Sequence, residues 1–382
     1  MNSKGAVRQS NLELLRVLAI ILVIIHHIIV HVVYDQINYA DSISILGNPY
    51  FCKPVFFPQL WLMDIGTFFG SMADLLFILI SGYFLVEKNN ISVSKTIIKL
   101  LTQGLFAACV FTVFNFLYHF LGFSYSDIYL AAREESVSWL RFEFFNESFW
   151  FIGFYFMIFL LGAIFLNGFL DKLEKKQYLE FLLILFAVIE FSYTRQLLDS
   201  ISSYIQTFVI GVFVYSLGGY IKKYDCLRKI RSFVLILLLI LTLAVSCFIT
   251  SYCRVLDIES YIRSGLQGGY FQQIYVFNFH NVLVIANIVL LFELFKRIKI
   301  KNNKVINYLG ASVFITYLIH DNELFYRIWY KYDWCTALYS DVTAFICNII
   351  TVSILTFGIG IVMYSIYKLL YKGLKIILNN EE

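Results

Sequence analysis

Residues 12–31 read LELLRVLAIILVIIHHIIVH, an apolar stretch that contains Arg16 and His27. Its length matches the roughly 20 residues that a helix needs to cross a hydrocarbon layer of about 30 Å. Ionisable residues are costly inside a bilayer and usually mark functional positions there. In a helix, the eleven-residue spacing places both side chains within roughly 20° of each other and about 16 Å apart along the axis. The stretch therefore predicts a membrane helix with one polar stripe.

The composition of the whole chain is that of an integral membrane protein. Its 382 residues are 60% hydrophobic, 19% aromatic and only 15% charged, beyond what soluble domains carry. We expect an all-α bundle of about ten transmembrane helices, forming a single domain over residues 1–382. The predicted spans are residues 13–33, 61–85, 97–120, 149–169, 178–193, 204–221, 233–250, 274–295, 306–320 and 343–367, of which the fifth and ninth are short.

The basic residues alternate between the two sides of this bundle. Most of the 30 Lys and Arg residues precede the first span or follow an even-numbered span. The positive-inside rule then predicts that both termini are cytoplasmic. We expect the first span to be retained, since it has no small-residue cleavage site. The basic loops match anionic lipid headgroups, and nucleic-acid binding is not indicated.

The second span contains an acidic residue, Asp74, and a small polar pair, Ser81 and Gly82, in MADLLFILISGYFL. An acid inside a membrane helix normally has a partner. Successive spans run in opposite directions, which brings His27 and Asp74 to similar depths. We therefore expect Asp74 to pair with His27, with Asp64 nearer the outer end of the same helix as the alternative.

The seven cysteines show neither a CxxC spacing nor a metal-ligand pattern, and we expect no metal centre. Isolated histidines on apolar faces, such as His26 and His31, are more typical of packing than of catalysis. Arg16 alone is compatible with snorkelling to the headgroups. Ser81 and Gly82 are compatible with an ordinary helix-packing notch.

Several motifs together resemble the membrane acyltransferase-3 family, which includes bacterial O-acetyltransferases of surface glycans. The first helix of that family reads approximately R-x-x-A-x-x-x-V-x-x-x-H, and Arg16, Ala19, Val23 and His27 match it. The family's acid, followed later by Ser-Gly-aromatic, is similar to the stretch from Asp74 to Tyr83.

Weaker matches extend the resemblance along the chain. They comprise Lys95 and Lys99 at the start of the third span, FWFIGFY at Trp150, and LGASVFITYLIH with its Tyr317 and His320. Relatives with an attached extracellular domain often have Glu five residues after the tryptophan, where this chain has Tyr155. The resemblance thus implies the stand-alone form of the family.

The resemblance implies transfer of an acyl group, most often acetyl, from cytoplasmic acyl-coenzyme A to a hydroxyl of a lipid-linked or polymeric surface saccharide. The setting would be a bacterial cell membrane. The donor is a substrate, and we expect no permanently bound cofactor. His27 would act as the base or carry the acyl group, and Asp74 would orient it.

The remaining matched residues receive binding roles from the same resemblance. Arg16, Lys95 and Lys99 would hold donor phosphates, because guanidinium and ammonium groups pair with phosphate. Ser81 and Gly82 would let the donor arm approach the backbone. Substrate binding would fall to Trp150, Tyr317 and His320.

Two other functions fit the same residues. A transporter or flippase for a lipid-linked saccharide could use His27 and Asp74 as a proton relay. A non-catalytic membrane partner in glycan assembly would need neither residue for chemistry. Dependence on acyl-coenzyme A distinguishes the enzyme from both.

Overall fold

The computed structural model describes residues 8–36, 56–88, 91–121, 150–190, 205–264 and 282–379. Within these ranges all regular structure is helical. The helices are α1 Ser10–Ile28, α2 Phe56–Leu85, α3 Val93–Phe120, α4 Trp150–Leu161, α5 Lys175–Glu190, α6 Ile205–Tyr224, α7 Ser232–Ser264, α8 Val282–Arg297, α9 Lys304–His320, α10 Glu323–Tyr330, α11 Trp334–Ser340 and α12 Val342–Asn379. The predicted all-α class is confirmed for this part of the chain.

Two helices continue beyond these bounds through a single wider turn. α1 passes through the π-helical segment Ile29–Val33 into Tyr34–Gln36, and α4 passes through Gly162–Leu166 into Asn167–Lys172. Seven helices of the described residues are long and apolar enough to cross a membrane. Three more, α5, α8 and α9, coincide with predicted spans but have only 16, 16 and 17 residues. The total of ten spans and the cytoplasmic termini therefore stay predictions.

Large apolar side chains cover the outside of the bundle, as a membrane protein requires. On α7, for example, Phe233, Leu237, Ile240 and Leu241 are each more than half exposed. Exposed apolar surface on this scale is unfavourable in water. In a bilayer the same surface meets lipid chains, while the helices satisfy their own backbone hydrogen bonds.

Glycines let α2 lie directly against α6. A Cβ on Gly82 would stand 1.9 Å from the carbonyl oxygen of Tyr215, and a Cβ on Gly218 would stand 2.2 Å from that of Leu79. Small residues at such crossings allow two backbones to approach closely. This contact makes α2 a central helix, which also packs against α1, α7 and α8.

The neighbours of α1 determine where the site forms. α1 and α2 are antiparallel, since His26 Nδ1 lies 3.0 Å from the Thr67 carbonyl oxygen while Arg16 lies over Phe84, much later in α2. α9 packs against α1 in the same direction. Gly310 of α9 lies against Glu13, and ten residues later His320 stacks on His27.

A hydrogen-bonded connection joins the end of α1 to the short helices after α9. The Gln36 side chain donates to the carbonyl oxygens of Tyr330 and Tyr332 at 3.0 and 2.8 Å and accepts from the Trp334 backbone N–H at 2.9 Å. Asp333 caps α11 by accepting from the Thr336 backbone N–H, which holds the pKa of this exposed carboxyl below its usual range. These bonds hold the segment between α10 and α11 against the end of the first helix.

Candidate active site

His27 lies near the C-terminal end of α1, against the end of α9. Its ring stacks on His320 with centres 5.0 Å apart and planes 20° apart, and it meets His31 edge-on at 5.3 Å. Its Nδ1 lies 3.7 Å from Asp321 Oδ1, and the side chain is only 13% exposed. Within the described part of the chain, Nδ1 accepts or donates no hydrogen bond. We call His27, His31, His320, Asp321 and Tyr326 the His27 cluster.

Asp321 is the carboxylate that the structure places beside His27, and the sequence reasoning missed it. It directly follows α9, where Asn322 begins α10 by accepting from the Leu324 backbone N–H at 2.9 Å. This tight connection turns Asp321 back over α1. Tyr326, on the first turn of α10, donates its hydroxyl proton to Asp321 Oδ1. The sequence feature that could have indicated it is that Asp321 directly follows His320 at the end of a predicted span.

The two acids predicted to pair with His27 have other surroundings. Asp74 is buried on α2, within electrostatic reach of Asp321 and Tyr317, and its Oδ1 has no hydrogen-bond partner among the described residues. Asp64 is fully buried and accepts from the Ser251 hydroxyl of α7 at 2.6 Å. Among the described residues, the carboxylate recorded beside His27 is that of Asp321, and an orienting role for Asp74 stays a prediction.

Tyr317 and His320 lie in the interior, although the end of a span typically carries an interfacial aromatic belt. Tyr317 is 5% exposed and His320 is 1% exposed. His320 Nδ1 bonds to the Thr316 carbonyl oxygen at 2.9 Å. The Tyr317 ring lies 5.7 Å from the His320 ring and 5.5 Å from that of Phe151. These rings form a continuous contact from Phe151 to His27.

A cavity of about 200 Å³ lies next to these rings and is lined by Phe151 and Tyr317. One end carries the cationic residues Arg8, Arg16 and Lys99, and the other carries Phe77, Phe151 and Tyr317. Arg8 and Lys99 are exposed, so the cavity reaches the protein surface at its cationic end. It follows α9 from Gly310 to Tyr317, a rise of about 10 Å.

The cationic end contains two of the three predicted phosphate-binding residues. Arg16 is 29% exposed and binds Glu13 Oε1 at 3.1 Å, with its guanidinium 5.7 Å from the Phe84 ring centre. Lys99 also lines the cavity, whereas Lys95 lies one turn earlier on α3 and is exposed. Arg8, which the sequence reasoning treated only as a topology signal, adds a third cation.

Ser81 and Gly82 face different neighbours. Ser81 lines the cavity, donates to the Phe77 carbonyl oxygen at 2.8 Å and therefore accepts from the Tyr155 hydroxyl at 2.9 Å. Gly82 faces the backbone of Tyr215 on α6, where its missing side chain serves helix packing. Its contact with a donor stays a prediction. Trp150 begins α4, but its side chain is outside the described residues.

The His27 cluster also contains a set of metal-binding groups, which the cysteine pattern could not indicate. One ligand atom each from His27, His31 and Asp321 lies within 4.8 Å of the others. Two imidazoles and a carboxylate are a ligand set that Zn²⁺ accepts. The arrangement can therefore hold a divalent cation between His27, His31 and Asp321.

The geometry places a cationic pocket that reaches the surface next to the aromatic rings that lead to His27. The chain matches the acyltransferase-3 family, described as an acyltransferase domain, over residues 9–365. No curated protein and no solved structure matches it. The matched range contains the whole His27 cluster. It also contains every residue that lines the cavity, except Arg8. The chain therefore belongs to the acyltransferase-3 family of multi-pass membrane proteins.

Proposed function

We propose that this acyltransferase moves an acyl group, most simply acetyl, from cytoplasmic acyl-coenzyme A to a hydroxyl of a lipid-linked or polymeric cell-surface saccharide in a bacterial plasma membrane. The observation that carries the proposal is the cavity that runs from Arg8, Arg16 and Lys99 to Tyr317. Beyond Tyr317, the His320 ring stacks on His27. A donor entering from the cationic end would thus direct its reactive end toward His27.

Charge supports binding of the donor at this end. Coenzyme A carries phosphates at the end remote from its thioester. Arg16 can form bidentate hydrogen bonds to phosphate, and Arg8 and Lys99 add positive charge. Glu13 already binds Arg16 through one oxygen, which holds the guanidinium at the cavity wall. The apolar end, near Phe77 and Phe151, suits the acyl-bearing part of the donor.

His27 is the proposed base of the transfer. As it takes the proton of the saccharide hydroxyl, the hydroxyl oxygen bonds to the thioester carbonyl carbon. The carbon–sulfur bond then breaks, and the thiolate leaves with that proton as coenzyme A. Asp321 would stabilise the imidazolium and orient the ring, because it lies 3.7 Å from His27 Nδ1. Asp74 lies near Asp321 as a second buried acid, and because like charges repel, it does not strengthen the charge of Asp321.

The decisive experiment uses the full chain in lipid vesicles with radiolabelled acetyl-coenzyme A and a saccharide acceptor. His27→Ala should abolish acyl transfer while the protein stays inserted and abundant. His26→Ala is the matched control, because the His26 ring lies 5.5 Å from that of His27 but bonds to the Thr67 carbonyl oxygen of α2. Normal transfer by His27→Ala contradicts the catalytic assignment.

Donor dependence separates this proposal from saccharide transport. The enzyme should require acyl-coenzyme A and leave an ester on the glycan, whereas a flippase should need neither. Mass spectrometry of surface glycans from cells with and without the protein measures that ester. Translocation of unmodified saccharide without any donor would favour the transporter.

A further inference from the structure

Gln103 is a buried polar residue of the cavity that none of the motifs includes. It lies on α3, is 1% exposed and lines the cavity. Its Nε2 is buried and has no hydrogen-bond partner among the residues that the structure describes. Buried amide groups are nearly always hydrogen-bonded, because an unpaired one destabilises the fold. An orphaned amide on a cavity wall therefore points to a ligand as its partner.

The position of Gln103 lies between the two ends of the cavity. It follows Lys99 by four residues, so both side chains lie on the same face of α3, about 6 Å apart along the axis. Lys99 is exposed at the cationic end. Gln103 is therefore one helical turn deeper than Lys99. In a bound coenzyme, the part between the phosphates and the thioester would lie beside it.

A second unpaired polar atom lines the same cavity. Glu13 is 6% exposed and gives one carboxylate oxygen to Arg16, while its Oε2 is buried without a hydrogen-bond partner among the described residues. Gln103 can donate through its NH₂ group and accept through its carbonyl oxygen, whereas ionised Glu13 only accepts. The cavity wall thus offers a donor at Gln103 and an acceptor at Glu13, which lies against Gly310.

The chemical group that matches this wall is a secondary amide. The pantetheine arm of coenzyme A carries two amides between its diphosphate and its sulfur, and each has one C=O acceptor and one N–H donor. We propose that Gln103 binds an amide of the pantetheine arm, with Glu13 Oε2 accepting an amide N–H. This inference rests on the proposed donor. The contact sets how far the thioester reaches toward His27.

Binding measurements on the purified full chain in nanodiscs test the inference, with two probes. Acetyl-coenzyme A contains the amides, and adenosine 3′,5′-bisphosphate carries phosphates but no amide. Gln103→Leu keeps the side-chain size and should weaken acetyl-coenzyme A binding about tenfold or more, because an amide hydrogen bond is lost in a buried site. It should leave the nucleotide affinity within about twofold.

Gln59→Leu is the matched control. Gln59 is also a buried glutamine, 5% exposed, but it bonds to the Leu338 carbonyl oxygen at 3.4 Å, away from the cavity. Its replacement should change neither affinity. A merely structural role for Gln103 would lower both affinities together.

The outcomes separate the two levels of the argument. Unchanged acetyl-coenzyme A affinity in Gln103→Leu, or an equal loss for both probes, overturns the amide contact. If wild-type protein binds neither probe, the coenzyme donor itself is wrong, and the proposed function fails with it. A selective loss for acetyl-coenzyme A, with Gln59→Leu unchanged, supports the inference.

Discussion

Replacing Asp321 by Asn tests which carboxylate assists His27. The substitution removes the negative charge but keeps the size of the side chain and an oxygen that accepts from Tyr326. At the 3.7 Å separation from His27 Nδ1, an effective dielectric constant of about 20 gives about 4.5 kcal/mol of attraction to the imidazolium. Since each 1.36 kcal/mol corresponds to tenfold in rate, the upper limit is roughly a two-thousandfold loss. Partial solvent access to the cluster reduces it, and we expect a fall of about 100- to 1000-fold in kcat.

The assay is the initial rate of acetyl transfer in vesicles, normalised to the amount of inserted protein. Donor affinity should stay close to wild type, because Asp321 is not part of the cavity wall. Asp74→Asn is the comparison variant and should lose less activity, since the carboxylate found beside His27 is that of Asp321. A rate above half of wild type in Asp321→Asn, or a larger loss in Asp74→Asn, refutes the assignment.

Three further outcomes are expected. Arg16→Ala should raise KM for acetyl-coenzyme A by about tenfold or more with a smaller change in kcat, because it removes a charge-assisted phosphate contact; an unchanged KM would exclude Arg16 from donor binding. Gly82→Ala should lower the free energy of unfolding by about 1–3 kcal/mol or more, measured by thermal unfolding in detergent, since its Cβ would overlap the α6 backbone. Gly153→Ala, whose added Cβ would meet no described atom within 4 Å outside its own helix backbone, is the control and should keep the wild-type melting temperature. Zn²⁺ should inhibit acyl transfer, and EDTA should restore the activity. The His31→Ala variant should be less sensitive to Zn²⁺ because it lacks one of the three ligands. Equal inhibition of the wild type and the variant would contradict a metal site formed by His27, His31 and Asp321.

Arg16 and His27 illustrate what a local pattern can predict. Their eleven-residue spacing predicts one helical face, and the structure has α1 continuous through both residues. The position of Arg16 near the start of the span predicts that it lies toward the basic side of the bundle, and in the structure Arg16 lines the cavity with Arg8 and Lys99. It does not reveal that Tyr317 and His320 lie between this cavity and His27. That arrangement depends on the packing of α9 against α1, and the two helices are more than 270 residues apart along the chain.

The sequence by itself determined the helical membrane character, the Arg16–His27 stripe and the acyltransferase-3 family. The first two follow from composition and helical period, which are properties of one segment at a time, and the family follows from the resemblance of several motifs to that family. Only the tertiary structure decided that Asp321 meets His27 and that Gln103 faces the cavity. Both depend on how the turn after α9 folds back and how α3 is rotated against its neighbours, because contacts between distant segments are determined by packing of the whole bundle.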